Sequence, residues 1–287
     1  MLPTLRQLQY LKLLAEHGSF SRAAEAAHVS QPALSAGVQE LEKILGGAVQ
    51  LTAVGAEAVK RAEDVLARTE DLVEAARNAG KPLSGRFRLG VIPTIAPFLL
   101  PATLPRLKAR HPALRLFLRE DLTPRLVTQL KAGQLDAAVI ALPYEAAGID
   151  HARIGFDEIL AAAPAGHPVA SAETLQASDL KQSDLILLED GHCLRDQALA
   201  AFDIDAPRGA DVFAASSLHT LVQMIDAGLG VSFLPGMAVR AGLTQGSGVV
   251  TRPISADAPH REIVVAWRSG SSRAAEARLL AEALTLE

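Results

Sequence analysis

The stretch that decides the fold of the N-terminal end covers residues 20 to 45, and its sequence is FSRAAEAAHVSQPALSAGVQELEKIL. Its alanine-rich first part predicts a short helix, which a tight turn at His28 and Val29 follows. Ser30 can cap a second helix, and Pro32 is tolerated there because its missing N–H costs little in a first turn. Helical spacing then continues through four apolar residues, Leu34, Val38, Leu41 and Leu45. The stretch therefore predicts a helix, a tight turn and a second helix.

The second helix has the surface of a helix that reads DNA. Since its apolar residues face inward, Gln31, Pro32 and Ser35 face outward on the first turns, where a recognition helix meets base edges. Glutamine can pair with adenine, serine can bond either base, and proline can contact a thymine methyl group. With Ser30 and Arg22 these residues are the candidate contacts to double-stranded operator DNA.

The charge balance predicts weak DNA binding. The 287-residue chain has a formal net charge of -4. Residues 1–50 hold four cationic and four anionic side chains, namely Arg6, Lys12, Arg22 and Lys43 against Glu16, Glu25, Glu40 and Glu42. Because phosphate contacts need local positive charge, we expect a shallow dependence of DNA affinity on salt.

A long helix is predicted after this domain, over residues 54–80. Alternating spacings of three and four connect the apolar or small residues Val59, Ala62, Leu66, Thr69 and Val73. Such a heptad-like seam favours pairing with a second copy of the helix. The alternative is an amphipathic helix that packs on its own domain.

Beyond a hinge at residues 81–86, the pattern changes to strands that alternate with helices. Strands are predicted at 87–92, 114–118, 137–141, 159–163, 185–188, 212–214, 231–234 and 263–267, and helices near 97–110, 122–132, 194–202, 217–227 and 272–285. Alternation of this kind predicts a mostly parallel sheet. We expect residues 87–287 to form two Rossmann-like α/β subdomains around a cleft. Subdomain I would cover about 87–160 and 262–287, and subdomain II about 161–261.

Several segments resemble the LysR-type transcription regulators, and the resemblance covers nearly the whole chain. They are Phe20-Ser21-Arg22-Ala23-Ala24, His28 to Ser35, Leu41-Glu42, Gly166-His167-Pro168, Gly228 to Val231 and Leu234-Pro235. The resemblance implies a winged helix-turn-helix over residues 1–53, a dimerising linker helix and an effector domain like a periplasmic binding protein. It also implies self-association, usually to tetramers, and contact with RNA polymerase. One departure is that residues 46–52, GGAVQLT, run almost directly into the linker helix, so the wing is expected to be deleted.

The sole cysteine, Cys193, lies in the stretch LLEDGHCLRDQA over residues 187–198. A helix that begins near Cys193, together with His192 and Arg195, would favour the thiolate form. Asp190 and Asp196 would oppose it unless they bind donors instead. The alternative is a buried and inert cysteine.

This stretch resembles the peroxide-reactive segment of the OxyR branch of the LysR family. The segments around Thr94 (Gly90 to Pro101), Thr123 (Glu120 to Thr123) and Arg261 resemble the same branch. The resemblance implies that Cys193 attacks hydrogen peroxide, that Thr94, Thr123 and His192 hold the peroxide oxygens, and that Arg261 stabilises the thiolate, with Asp196 also in the site. The second cysteine of disulfide-forming members is absent, and its position matches Phe202.

Two other functions stay open on the sequence alone. The chain could respond to a small metabolite in the cleft and retain the cysteine segment as a vestige. It could also be a one-cysteine thiol peroxidase, although such an enzyme needs neither a helix-turn-helix nor a linker helix. We expect no enzyme activity, no cofactor and no metal, since the eight histidines are scattered and the chain has one cysteine. Without an apolar span or a secretory signal, a cytoplasmic location without membrane contact is expected.

Overall fold

The computed structural model describes residues 2–48, 53–77, 83–173, 175, 179, 185–201, 214–254 and 260–286. Its N-terminal part contains α1 (Leu5–His17), α2 (Phe20–Ala26), α3 (Gln31–Leu45) and α4 (Ala53–Arg77). Thr4 and Gln7 form a reciprocal capping box at the start of α1, which ends at the left-handed Gly18. Leu14, Ala23, Leu34 and Leu41 pack into one core shared by α1, α2 and α3. The predicted helix-turn-helix is confirmed.

The segment between α3 and α4 is where the wing of the family would lie. It covers residues 46–52, of which 49–52 lie outside the described residues. The deletion of the wing therefore stays a prediction.

The linker helix α4 packs on its own N-terminal domain. Ala62 is only 2% exposed, and Val59 and Leu66 pack against the same core as α1. The assignment of Ala62 to the dimer seam is therefore wrong, because residues of the same chain already cover this side chain. Larger apolar side chains on α4 are exposed instead, with Leu72 at 70%.

The remaining residues form the α/β effector region. Its elements are β1 (Gly85–Val91), α5 (Ala96–Arg110), β2 (Leu114–Glu120), α6 (Thr123–Lys131), β3 (Ala137–Leu142), β4 (Ile149–Pro164), α7 (Pro168–Ser171), β5 (Leu187–Leu188), α8 (Cys193–Ala201), β6 (Ala214–Ala215), α9 (Leu218–Asp226), β7 (Ser232–Pro235), α10 (Gly236–Arg240), β8 (Val249–Arg252), β9 (His260–Arg268) and α11 (Ala274–Ala283). The α/β class is confirmed. The residues of the predicted strand at 212 and 213 lie outside the described residues.

The main sheet is mixed, with the strand order β2-β1-β3-β9-β4-β7 and β8 paired with β4. β1 is parallel to β2 and β3, but β9 is antiparallel to β3 and β4, and β4 is antiparallel to β7 and β8. The expectation of a mostly parallel sheet is therefore wrong. The cause is the long strand β4, whose charged first half does not read as a strand but pairs with β9 along its length.

Two buried apolar cores lie along this sheet. β4 connects them, because Ile154 belongs to the first core and Ile159 to the second. β9 pairs with β4 from Ile149 to Glu158, so both strands pass through the junction between the cores. This junction is where the candidate site lies.

The linker helix also approaches the effector region directly. A Cβ atom placed on Gly133, which follows α6 with φ of +67°, would lie 2.5 Å from the Cβ of Ala67 in α4. Only glycine fits this approach without strain. Among the described residues, no helix has the length and apolar character needed to cross a membrane.

Candidate functional site

Cys193 is the first residue of α8 and lies between the two cores of the effector region. The turn before it contains Gly191 at φ of +94°. Leu194 of α8 belongs to the second core, whereas the half-buried Cys193 packs against the first. The Gln197 amide donates to the carbonyl oxygen of Leu142 at 2.9 Å, which ties α8 to the end of β3. The thiol is thus held at a contact between two packed bodies.

A buried guanidinium group lies on the other side of this contact. Arg261 of β9 is 1% exposed. Its Nη1 donates to Thr94 Oγ1 at 2.9 Å and its Nη2 to the Thr94 carbonyl oxygen at 3.1 Å. Asp157 Oδ2 accepts from Arg261 Nε at 3.1 Å and from Nη2 at 2.9 Å. The guanidinium is therefore fixed by two partners, one on each side.

The buried hydroxyl group of Thr123 completes the surroundings of the thiol. It lies beside the sulfur and lowers the pKa of the thiol, yet it makes no hydrogen bond of regular geometry with any described residue. Neither Thr94 nor Thr123 caps the helix that follows it, since Ile95 and Leu122 hold the N-cap positions. A buried donor with an open valence points to a ligand or water at this position.

Burial has the largest effect on the pKa of both shifted groups at the site, Cys193 and His192. Burial raises the pKa of the Cys193 thiol, against the charge of Arg261 and the hydroxyl of Thr123, and the Asp196 carboxylate raises it further. Burial also lowers the pKa of His192, with a partial opposing effect from Glu189. The expectation that the surroundings favour the thiolate in the resting chain is therefore wrong, because desolvation outweighs the nearby cation.

The structure brings most of the predicted site residues together. Cys193, Thr123 and Arg261 with Thr94 converge, and His192 is buried next to the cysteine. Asp196 lies exposed on the first turn of α8 and acts on the thiol only through its charge. Arg195 forms an ion pair with Asp190, so its charge is engaged outside the thiol.

Sequence reasoning missed Asp157, which is fully buried on β4. The strand register places it directly opposite Arg261, as a cross-strand pair of opposite charge. The available signal was a pair of carboxylates, Asp157 and Glu158, just before the predicted strand at 159–163, which in the structure begins ten residues earlier, at Ile149. The pairing of Asp157 with Arg261 could be predicted only with the register of β4 against β9.

The predicted DNA-reading face is exposed in the structure. Gln31 and Pro32 are exposed at the start of α3, Arg22 is exposed on α2, and Ser35 is half-buried. Ser30 occupies the N-cap position but makes no capping hydrogen bond through its side chain. The missed residue here is Ser21, whose hydroxyl donates to Gln31 Oε1 at 3.0 Å and so connects the two helices.

Comparisons with known proteins agree with this geometry. Residues 5–53 match the model of the bacterial regulatory helix-turn-helix proteins of the lysR family, and residues 80–286 match the LysR substrate binding domain. The chain is 38% identical over 289 residues to the DNA-binding transcriptional dual regulator OxyR of Escherichia coli, covering 98% of this chain and 94% of that protein.

Solved structures give the same result over almost the whole length. A full-length OxyR from Pseudomonas aeruginosa with a cysteine-to-aspartate substitution has a TM-score of 0.79 and 34% identity, covering 99% of this chain and 98% of that one. A cysteine-to-serine mutant of Corynebacterium glutamicum OxyR, bound to hydrogen peroxide, has a TM-score of 0.68 and 33% identity, covering 99% and 92%.

Proposed function

This chain belongs to the LysR family of DNA-binding transcription regulators, and on that premise we propose that it responds to hydrogen peroxide through Cys193. The observation that carries the proposal is the convergence of the thiol with the open hydroxyl of Thr123 and the fixed guanidinium of Arg261. These groups come from three different elements, α8, α6 and β9, and all three are polar groups in an otherwise apolar contact. The peroxide-bound relative supports a peroxide ligand in a site of this kind.

The chemistry follows from the donors at the site. Peroxide accepts hydrogen bonds at both oxygens, and the Thr123 hydroxyl has a free valence for one of them. As the sulfur attacks, an S–O bond forms and the O–O bond breaks. The departing hydroxide takes up the thiol proton and leaves as water, so that the thiol is oxidised by two electrons to a sulfenic acid while peroxide is reduced. Arg261 and Thr94 lie where they stabilise the charge that develops during this transfer.

The oxidised state differs from a disulfide switch, because the chain contains one cysteine. Phe202, the position that matches the second cysteine, lies outside the described residues. The sulfenic acid therefore persists or is capped by a small cellular thiol, and a disulfide with Cys193 of another subunit is less favoured because this cysteine is half-buried. Either product places a polar group where Cys193 packs against the first core, and that change would drive the response.

Intact mass spectrometry tests the sensing role. After stoichiometric peroxide, we expect a gain of one oxygen that a sulfenic-acid reagent traps, and no gain in Cys193→Ser. A wild-type thiol that reacts no faster than free cysteine would overturn the proposal. Sustained peroxide consumption with a thiol reductant would instead support the peroxidase alternative.

We propose that Ser30, Gln31, Pro32, Ser35 and Arg22 form the DNA contacts. Two of the four cations in this domain are already in ion pairs, Lys12 with Glu16 at 3.8 Å and Lys43 with Glu40 at 3.3 Å. A low number of phosphate contacts therefore fits the domain, and the affinity for operator DNA should change little with salt. Titrations at several salt concentrations check this, and a steep slope would contradict it.

We further propose that α4 pairs with a second copy in a dimer, that effector domains join dimers into a tetramer, and that the assembly contacts RNA polymerase at the promoter. Leu72 and Val73 are exposed on α4, so they replace Ala62 as the centre of the proposed seam. Leu72→Glu should lower the mass measured by light scattering, whereas the exposed control Lys60→Glu on the same helix should not. An unchanged mass for Leu72→Glu would exclude this seam.

A further inference from the structure

Asp157 has an unusually complete set of hydrogen bonds for a buried carboxylate. Its Oδ2 holds Arg261, and its Oδ1 accepts from the backbone N–H of Met237 at 2.7 Å and lies 3.4 Å from Arg240 Nη2. Both side chains of the Asp157–Arg261 pair have an exposed fraction of 0%. Removing one partner of such a pair leaves a buried charge without compensation.

The pair lies at the junction between the two cores. Asp157 stands on β4 between Ile154 of the first core and Ile159 of the second. Met237 of α10, whose N–H the carboxylate binds, packs in the first core, and the next residue, Ala238, packs in the second. Asp157 is therefore fixed from both sides of the junction and can serve as an anchor for Arg261.

The ion pair also weakens the electrostatic effect of Arg261 on the Cys193 thiol. Arg261 is the cation whose charge acts on Cys193, but its Nη2 lies 2.9 Å from a carboxylate oxygen of Asp157. An adjacent opposite charge offsets most of the field of a guanidinium at a third group. Asp157 therefore weakens the positive field that Arg261 presents to the thiol, and burial stays the largest effect on the pKa of Cys193.

We propose that Asp157 is a positioning residue for the peroxide site: it holds Arg261 against Thr94 and offsets the positive charge that Arg261 presents to Cys193. In this way Asp157 sets the peroxide concentration at which the thiol reacts. The inference rests on the proposed function, since it concerns the regulation of the same site.

Other charged groups near the thiol stay unchanged in the test. They are Asp196 and Arg195 on α8, His192, Glu189 and Asp190 in the preceding turn, and Asp121 with Arg125 at α6. Any shift that follows a substitution of Asp157 is therefore assigned to the pair with Arg261.

The experiment compares Asp157→Asn with Asp136→Asn. Asp136 is a matched control, because its buried carboxylate holds Arg88 at 2.8 Å and Arg273 at 3.4 Å but lies before β3, at the end opposite Leu142 and α8. Alkylation of the intact protein reports Cys193 alone, since the chain has one cysteine. The rate is measured against pH, and the rate of oxidation by peroxide is measured at neutral pH.

Asparagine keeps the shape and one acceptor of Asp157 but removes the charge. We expect the alkylation midpoint of Asp157→Asn to move about one pH unit lower and the peroxide rate to rise up to about tenfold. Asp136→Asn should leave both unchanged. Equal shifts in both variants, or no shift in Asp157→Asn, would overturn the inference.

A second variant keeps the test decisive if Asp157→Asn does not fold. Arg240 is exposed and touches Asp157, so Arg240→Gln leaves the core intact and returns more of the carboxylate charge to Arg261. Its alkylation midpoint should move slightly higher, and a midpoint that stays or falls contradicts the inference. If peroxide oxidises none of the variants while the midpoints shift as expected, the proposed function fails, and only the electrostatic effect of Asp157 on the thiol stands.

Discussion

The DNA-reading face and the thiol site are built in opposite ways. The face consists mostly of exposed side chains within residues 21–35, with Ser35 half-buried, on two helices that follow each other along the chain. The thiol site takes Thr94, Thr123, Cys193 and Arg261 from distant parts of the chain and buries them with Asp157. A substitution on the DNA-reading face removes one contact with DNA. A substitution in the thiol site leaves other buried polar groups without their hydrogen-bond or ion-pair partners. The two regions should therefore respond to substitution on different scales and in different observables.

The largest effect should follow from Arg261→Met. It leaves the carboxylate of Asp157 buried beside Met237 N and Arg240 alone, and we expect a loss of about 3–5 kcal/mol in the free energy of unfolding. Urea unfolding followed by circular dichroism measures it. The control Arg22→Met, on the exposed face, should change stability by less than about 0.5 kcal/mol. Similar losses in both variants would remove the contrast between the two regions.

Gln31→Ala should leave stability unchanged and cost about 1–3 kcal/mol of binding free energy at one base position. The reason is that the exposed Gln31 side chain lies at the start of α3, where a recognition helix meets base edges. Binding to a panel of single-base operator variants checks the expectation. Uniform weakening on every sequence would show that Gln31 contacts the backbone rather than a base.

The pH dependence of Cys193 should show its burial. Because burial raises the pKa of the thiol, the alkylation rate should rise about tenfold per pH unit and continue rising past about 8.5, where an ordinary thiol levels off. The same chain unfolded in urea is the control and should level off near the ordinary value. A folded chain that levels off at lower pH would mean that Arg261 outweighs burial.

The smallest effect should come from Ser21→Ala. This substitution removes the hydroxyl that orients the Gln31 amide, so selectivity at the same base should fall by about 0.5–1.5 kcal/mol without loss of general affinity. The operator panel used for Gln31→Ala measures it. A loss at a different base position would separate Ser21 from Gln31.

The sequence predicted the parts whose partners lie close along the chain. Helix spacing and the turn at His28 and Val29 were enough for α2 and α3, and short apolar runs were enough for β1 and β3. The site residues Thr94, Thr123, Cys193 and Arg261 were recognised through resemblance, since no local pattern connects them.

The parts that were missed depend on strand register and on which of two possible helices covers the apolar face of α4. The long strand β4 carries charges along its first half, because that half is covered only in part, and its antiparallel pairing cannot be read from periodicity. Asp157 was missed for the same reason. Ala62 was assigned to a partner helix although α1 of the same chain covers it, since a heptad seam does not say which helix it meets.

The approach of Gly133 to Ala67 brings the effector region into direct contact with the helix that leads to the DNA-reading domain. At this point the effector region touches the linker helix with no side chain on one partner and a single methyl group on the other. Because no flexible side chain lies between the two backbones at this contact, a small movement of α6 must shift α4 or break the contact. The closeness of this one contact would then decide whether chemistry at the sulfur atom of Cys193 reaches the helices that read DNA.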